Sequence, residues 1–91
     1  MVELKKKFTI VNRLGLHARA SAELVKLTNQ YDARVTLSKG SMTVDGKSIL
    51  GIMSLAAGLG TEVMVHCEGA DCTQAMNAIG ALIGNCFGES E

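Results

Sequence analysis

The spacing of apolar residues along this chain alternates between the period of a β-strand and that of an α-helix, and this alternation constrains the fold most. From Leu4 to Val11 apolar and polar residues alternate, as in a strand with one buried face. From His17 onward the apolar spacing becomes helical, with intervals of four, three and four. The helical positions are Ala20, Leu24, Leu27 and Tyr31. The chain is therefore predicted to begin with a strand and a helix.

The middle of the chain predicts a β-hairpin and a short helix. Residues 33–44 alternate on either side of a turn at Lys39 and Gly40, which is typical of two paired strands. Ser48 then stands where an N-cap residue is expected, before a short run of apolar residues. That run holds Ile49, Leu50, Ile52, Met53 and Leu55.

The last third of the chain predicts one more strand and a closing helix. Residues 61–67 alternate again, and in this pattern His66 points away from the core. Asp71 and Gln74 have the spacing of a capping box at the start of the helix. The predicted buried positions of this helix are Ala75, Ile79, Leu82, Ile83 and Cys86.

The predicted order β-α-β-β-α-β-α indicates an α+β fold, a two-layer open-faced sandwich. Its four-stranded antiparallel sheet carries the helices on one face. A chain of 91 residues has enough surface for one core, so residues 1–91 are expected to form a single domain. No apolar stretch has the length of a signal-peptide core or a membrane span. We therefore expect a cytoplasmic monomer that does not insert into membranes.

Composition and cysteine spacing exclude several classes of partner. A formal net charge of zero with 3% aromatic residues argues against binding to nucleic acid. Cys67, Cys72 and Cys86 are odd in number and lack paired CxxC spacing, so we expect reduced thiols. A metal site built from His66, Cys67 and Cys72 is the alternative. Adjacent strand residues point to opposite faces, so we predict no metal and no cofactor.

The segment GLHARA, from Gly15 to Ala20, places a histidine where a glycine-containing loop meets a helix. The first turn of a helix offers unpaired N–H groups and a partial positive charge, which suit a phosphate group. The same charge disfavours imidazolium, so the His17 ring is expected to stay neutral and nucleophilic. Arg19 adds a permanent cation that can pair with phosphoryl oxygens. From these residues alone, a capping or surface histidine is the competing interpretation.

Two motifs resemble the HPr phosphocarrier family of the phosphoenolpyruvate-dependent phosphotransferase system, including its nitrogen-regulatory branch. GLHAR at 15–19 is similar to the active-site signature, and VDGKSILGIMSLAAGLGT at 44–61 to the signature around the regulatory serine. The resemblance implies that Nδ1 of His17 accepts a phosphoryl group from phosphorylated enzyme I, and that Arg19 steadies it. It also implies that an enzyme IIA domain receives the group, so that the chain is a carrier and not an enzyme.

One residue departs from the family pattern. Ala20 stands where many members have proline, and the replacement favours the nitrogen-regulatory branch without deciding it. Alanine is a strong helix former, so the helix start is expected to survive the change.

The resemblance gives the second motif two further roles. Ser48 is the position that an HPr kinase/phosphorylase modifies in some members, which is compatible with its role as an N-cap. The family's docking surface corresponds to Ile49, Leu50 and Met53. Ile52 and Leu55 are expected to point inward, and the alternative is that all five apolar residues are core.

The sequence is compatible with three functions. The first is phosphoryl relay through His17. The second is a regulatory protein-interaction module of the nitrogen-type branch, in which relay is secondary. The third, which the α+β pattern alone allows, is a small ligand-binding or metal-binding domain.

Overall fold

Residues 2–91, which the computed structural model describes, form four β-strands, three α-helices and one 3-10 turn. The first elements are β1 (Glu3–Thr9), α1 (Ala18–Thr28), β2 (Arg34–Lys39) and β3 (Met42–Asp45). They are followed by α2 (Ile49–Ser54), β4 (Glu62–Glu68), α3 (Cys72–Gly84) and the 3-10 turn (Cys86–Gly88). This is the predicted order. Met1, the first residue of the predicted 1–91 domain, lies outside the described residues.

The four strands form one antiparallel sheet in the order β1-β4-β2-β3. In β4, one of the two inner strands, alternating residues are buried beneath the helices. These are Val63, Val65 and Cys67. His66 lies on the opposite face, between Lys5 of β1 and Thr36 of β2. One face of the sheet is therefore covered and the other is polar, which confirms the α+β open-faced sandwich.

The core confirms most of the predicted helix stripes, but both long helices end earlier than expected. In α1, Ala20 and Leu24 are fully buried, whereas Tyr31 lies beyond the end of the helix. The hydroxyl of Thr28 donates to the carbonyl oxygen of Gly46 at 2.8 Å, which ties the last turn of α1 to the hairpin. In α3 the predicted stripe fails at Cys86, which lies past the helix and is half-buried.

The predicted capping box at the start of α3 is wrong. The carboxylate of Asp71 makes no hydrogen bond to its own helix. It accepts instead from the backbone N–H groups of Asp32 at 2.9 Å and Ala33 at 2.8 Å. These two amides lie at the end of the segment between α1 and β2, so Asp71 joins two loops that are far apart in sequence.

The lengths of the helices bear on membrane insertion. Among residues 2–91, none of the helices has both the length and the apolar composition needed to cross a membrane.

We predict that Asp71→Ala lowers the free energy of unfolding by about 1–2 kcal/mol, because two backbone amides lose a charged acceptor. Gln74→Ala is expected to change it by less than about 0.5 kcal/mol. Urea denaturation of the two variants measures both values. An equal loss of stability in both variants would instead support a capping box formed by Asp71 and Gln74.

Candidate functional site

His17 is the N-cap residue of α1, as its place in the sequence predicts. Its backbone is extended, with φ −72° and ψ 179°, and its carbonyl oxygen accepts the first helical hydrogen bond from Ser21 at 2.9 Å. Its side chain does not cap the helix. Within the described residues, the amides of Ala18, Arg19 and Ala20 have no backbone or side-chain acceptor. Ala18 and Arg19 are exposed, whereas Ala20 is buried, so the helix presents free N–H donors at the two residues that follow His17.

The loop before the helix is held by one very close contact. Gly15 has a φ of +67°, a conformation that favours glycine. A Cβ atom on Gly15 would lie 2.5 Å from the carbonyl oxygen of Ala57 and 2.7 Å from Cα of Gly58. The N–H of Leu16 donates to that same oxygen of Ala57 at 2.9 Å. The chain that leaves α2 is thus pressed against the loop that presents His17.

The His17 ring contacts a carboxylate that the sequence analysis does not predict. Nε2 of His17 lies 2.6 Å from Oε2 of Glu89, whose side chain is only 10% exposed. A carboxylate can only accept a hydrogen bond, so the neutral ring carries its proton on Nε2 and its lone pair on Nδ1. Among residues 2–91, no group is hydrogen-bonded to Nδ1. The nitrogen that can act as a nucleophile is therefore the one without a protein partner.

Asn12 holds this carboxylate from the other side. It is fully buried, and its Nδ2 donates to the carbonyl oxygen of Gly15 at 2.9 Å and to Oε1 of Glu89 at 3.0 Å. The hydrogen bond from Asn12, together with the bond and charge of His17 and the charge of Arg19, lowers the pKa of Glu89 below its usual value. Desolvation of the carboxylate opposes this shift and is outweighed. Glu89 is therefore ionised at neutral pH.

Two arginines, Arg13 and Arg19, lie close to His17. A shallow cavity of about 380 Å³ beside His17 is lined in part by Arg13 and Arg19. Arg19 is exposed in the first turn of α1, where the sequence analysis places it. Arg13 is also exposed and lies 3.9 Å from Glu91, a surface pair that contributes little to stability. Because this pair is weak and exposed, both cations can bind an anion that enters the cavity.

Helix α2 confirms the predicted roles of its buried and capping residues. The hydroxyl of Ser48 accepts a hydrogen bond from the N–H of Gly51 at 3.0 Å, as an N-cap should. Ile52 and Leu55 are buried. Exposed fractions of 40%, 80% and 37% are found for Ile49, Leu50 and Met53, which we call the docking patch. The alternative that all five apolar residues are core is therefore wrong.

The second histidine and the cysteines do not come together as a site. His66 lies on the open face of the sheet, where Nε2 is 2.7 Å from Oε1 of Glu3. Cys67 points into the core, as the strand pattern predicts. Burial above all, with Cys72 and Asp71 nearby, raises the pKa of the Cys67 thiol to about 11, which disfavours the thiolate that binds metals.

Three residues of the site were not predicted from the sequence. Asn12 and Arg13 lie in a loop without periodicity, and Glu89 lies 72 residues beyond His17 in the chain. The signal that was available is local, because an asparagine and a glycine flank the turn before the histidine. No spacing rule connects that loop with Glu89.

Comparison with known proteins gives consistent matches along the chain. The family model described as the PTS HPr component phosphorylation site matches residues 4–85. Phosphocarrier protein HPr of Cupriavidus necator is 49% identical over 88 residues, which cover 97% of this chain and 99% of that relative. Phosphocarrier protein NPr of Shewanella violacea is 37% identical over 90 residues, 99% of each chain. The crystal structure of HPr-C-His from Thermoanaerobacter tengcongensis superposes with a TM-score of 0.90, at 36% identity and full coverage of both chains.

We predict that Gly15→Ala lowers the free energy of unfolding by about 2 kcal/mol, since the methyl group meets Ala57 and the positive φ is strained. Urea denaturation measures the loss, and the NMR shifts of His17 report its displacement. Gly58→Ala is the matched control, because a Cβ atom there meets nothing within 4 Å. An equal effect of both substitutions would contradict the role given to the Gly15 contact.

Proposed function

Because the chain belongs to the HPr family of phosphocarrier proteins of the phosphotransferase system, we propose that it carries a phosphoryl group on Nδ1 of His17. Phosphorylated enzyme I supplies the group, and an enzyme IIA domain removes it. Residues 1–91 act as one carrier domain, a cytoplasmic monomer that is a substrate of phosphotransferases and not itself an enzyme. The observation that carries this proposal is the His17 ring at the uncapped start of α1, with Nε2 on Glu89.

The transfer step follows from this placement. The lone pair on Nδ1 attacks phosphorus while the bond between phosphorus and the leaving atom of the donor breaks, and the proton on Nε2 stays in place. The phosphoryl oxygens then face the free amides of the first turn of α1 and the guanidinium of Arg19. Phosphoryl transfer depends mainly on such positioning and charge stabilisation. Donation to the next protein is the same step in reverse.

The docking patch supports binding of a second protein close to His17. Leu50 is the most exposed of the large apolar side chains, and Ile49 and Met53 extend the patch around it. The segment that follows α2, residues 56–58, lines a shallow cavity together with His17. Because this segment continues directly from α2, we expect the docking patch to lie near the imidazole. Arg13 and Arg19 line a second shallow cavity that also includes His17. A partner with an apolar recess and an acidic rim fits this surface best.

Ser48 offers a means of regulation at this surface. Its hydroxyl is half-buried at the start of α2, directly before the docking patch. Phosphorylation by an HPr kinase/phosphorylase would place a dianion there, which a helix start tolerates but an acidic partner would not. Regulation would then act on binding and leave the fold intact.

A second candidate function rests on the exposure of the docking patch. In it, the chain is a regulatory protein-interaction module of the nitrogen-type branch, with phosphoryl relay secondary. Both an HPr and an NPr are among its relatives, so this candidate is kept beside the first. The two candidates differ in whether binding and regulation survive the loss of the His17 ring.

We predict that incubation with phosphoenolpyruvate and enzyme I adds one acid-labile phosphoryl group, which mass spectrometry detects. His17→Ala is expected to abolish the adduct, because the acceptor nitrogen is gone, and His66→Ala is expected to retain it. A wild-type protein that stays unmodified beside a working enzyme I would reject the relay. If His17→Ala keeps full regulatory activity toward its partner, the interaction module is favoured.

We predict that Ser48→Asp weakens binding of the enzyme IIA partner about tenfold at low salt, or ~1.4 kcal/mol, through added negative charge. Ser48→Asn is the matched control, because asparagine caps a helix as well as serine or aspartate and adds no charge. Calorimetric titration measures both affinities. Equal weakening in both variants, or in neither, would count against regulation by charge.

A further inference from the structure

We propose that Asn12 and Glu89 form a positioning pair that selects which nitrogen of His17 attacks phosphorus. The pair also stabilises the charge that the ring gains during transfer. This inference rests on the proposed function, since it concerns the chemistry of the same histidine. It is carried by an unbroken line of hydrogen bonds from a buried amide through a carboxylate to the ring.

The orientation of the Asn12 amide is forced by its two partners. Its Nδ2 faces the carbonyl oxygen of Gly15 and a carboxylate oxygen of Glu89, and both of these groups can only accept. A flipped amide would place its oxygen against two other oxygens. Within residues 2–91 the buried Oδ1 of Asn12 has no hydrogen-bond partner, so it does not influence this choice. Asn12 therefore always presents a donor to residue 89.

The carboxylate of Glu89 in turn determines the tautomer of the His17 ring. Glu89 accepts from Asn12 through Oε1 and from His17 through Oε2, so the Nε2 proton is kept and Nδ1 holds the lone pair. When Nδ1 forms its bond to phosphorus and the donor bond breaks, the ring retains the Nε2 proton and becomes positively charged. The carboxylate 2.6 Å away stabilises that charge, as an aspartate does for the histidine of a catalytic triad.

The segment that carries Glu89 is bent to bring it back to the site. Cys86 and Phe87 both have a φ of 55°, a left-handed conformation that is unfavourable for residues other than glycine. Phe87 is 3% exposed and anchors the segment in the core. A strained bend that is anchored on one side and bonded to His17 on the other indicates that the position of Glu89 is specified by the fold.

The pair makes an unusual prediction for the amide variant of Glu89. In Glu89→Gln the Nδ2 donor of Asn12 requires the new carbonyl oxygen, so the new NH₂ group faces Nε2 of His17. That contact makes Nε2 an acceptor and moves the ring proton to Nδ1, which blocks attack. Glu89→Ala removes the carboxylate without imposing the wrong tautomer. The amide variant should therefore be slower than the alanine variant, the opposite of the order expected from the size of the change.

The experiment measures the rate of His17 phosphorylation by enzyme I in single turnover and the ring tautomer by ¹⁵N NMR. Relative to wild type we expect a loss on the order of 10²-fold for Glu89→Gln, with the proton on Nδ1. Glu89→Ala is expected to lose about tenfold, because stabilisation of the ring charge is gone. Glu62→Gln, which removes one exposed charge on β4, is expected to match wild type in both readouts.

The outcomes separate this inference from the proposed function. If wild-type protein is not phosphorylated at all, the carrier function fails, while the tautomers still report on the positioning pair. If wild type is phosphorylated and Glu89→Gln is as fast as wild type or faster than Glu89→Ala, the positioning pair is overturned and the carrier function stands. A slow Glu89→Gln that keeps the proton on Nε2 also overturns it, because the loss would then come from charge alone.

Discussion

The contact between Gly15 and the backbone of Ala57 and Gly58 is the constraint on which the site depends. It brings the loop before α1 against the chain that leaves α2, with no room for a side chain between them. The hydrogen bond from Leu16 to Ala57 closes the same junction. Two sequence motifs about thirty residues apart are thereby joined, one containing His17 and the other the exposed docking patch. Presentation of the ring, and the partner binding that we propose, thus depend on a single backbone junction.

The charges around His17 suit the transient anion that the proposed function requires. Glu89 lies behind the ring on Nε2, while the free amides of α1 and the guanidinium of Arg19 lie on the helix side. A carboxylate next to Nδ1 would repel the phosphoryl group, but Glu89 contacts the other ring nitrogen, Nε2. One cavity thus combines a carboxylate that can stabilise a positive ring with cations that can stabilise negative oxygens.

Periodicity was enough to predict the order of strands and helices, because each element buries one face against a single core. The placement of His17 and the capping by Ser48 were also predictable, since both depend on residues next to a helix start. Asp71 shows where such local rules fail, because its carboxylate binds the Asp32 and Ala33 amides across the fold. The role of Glu89 could not be predicted for the same reason. Its contacts depend on a left-handed bend after α3 that no hydrophobic pattern encodes.

Helix α2 is only six residues long and has a single buried side chain, that of Ile52. A helix this short gains little from its own hydrogen bonds, so it is held by Ile52, by the Ser48 cap and by the buried Leu55 at its C-cap. It therefore has less core packing to lose in a small shift than α1 or α3, each of which buries five residues. A carrier that must fit a donor and an acceptor of different shape gains from an adaptable contact surface mounted on an inflexible frame.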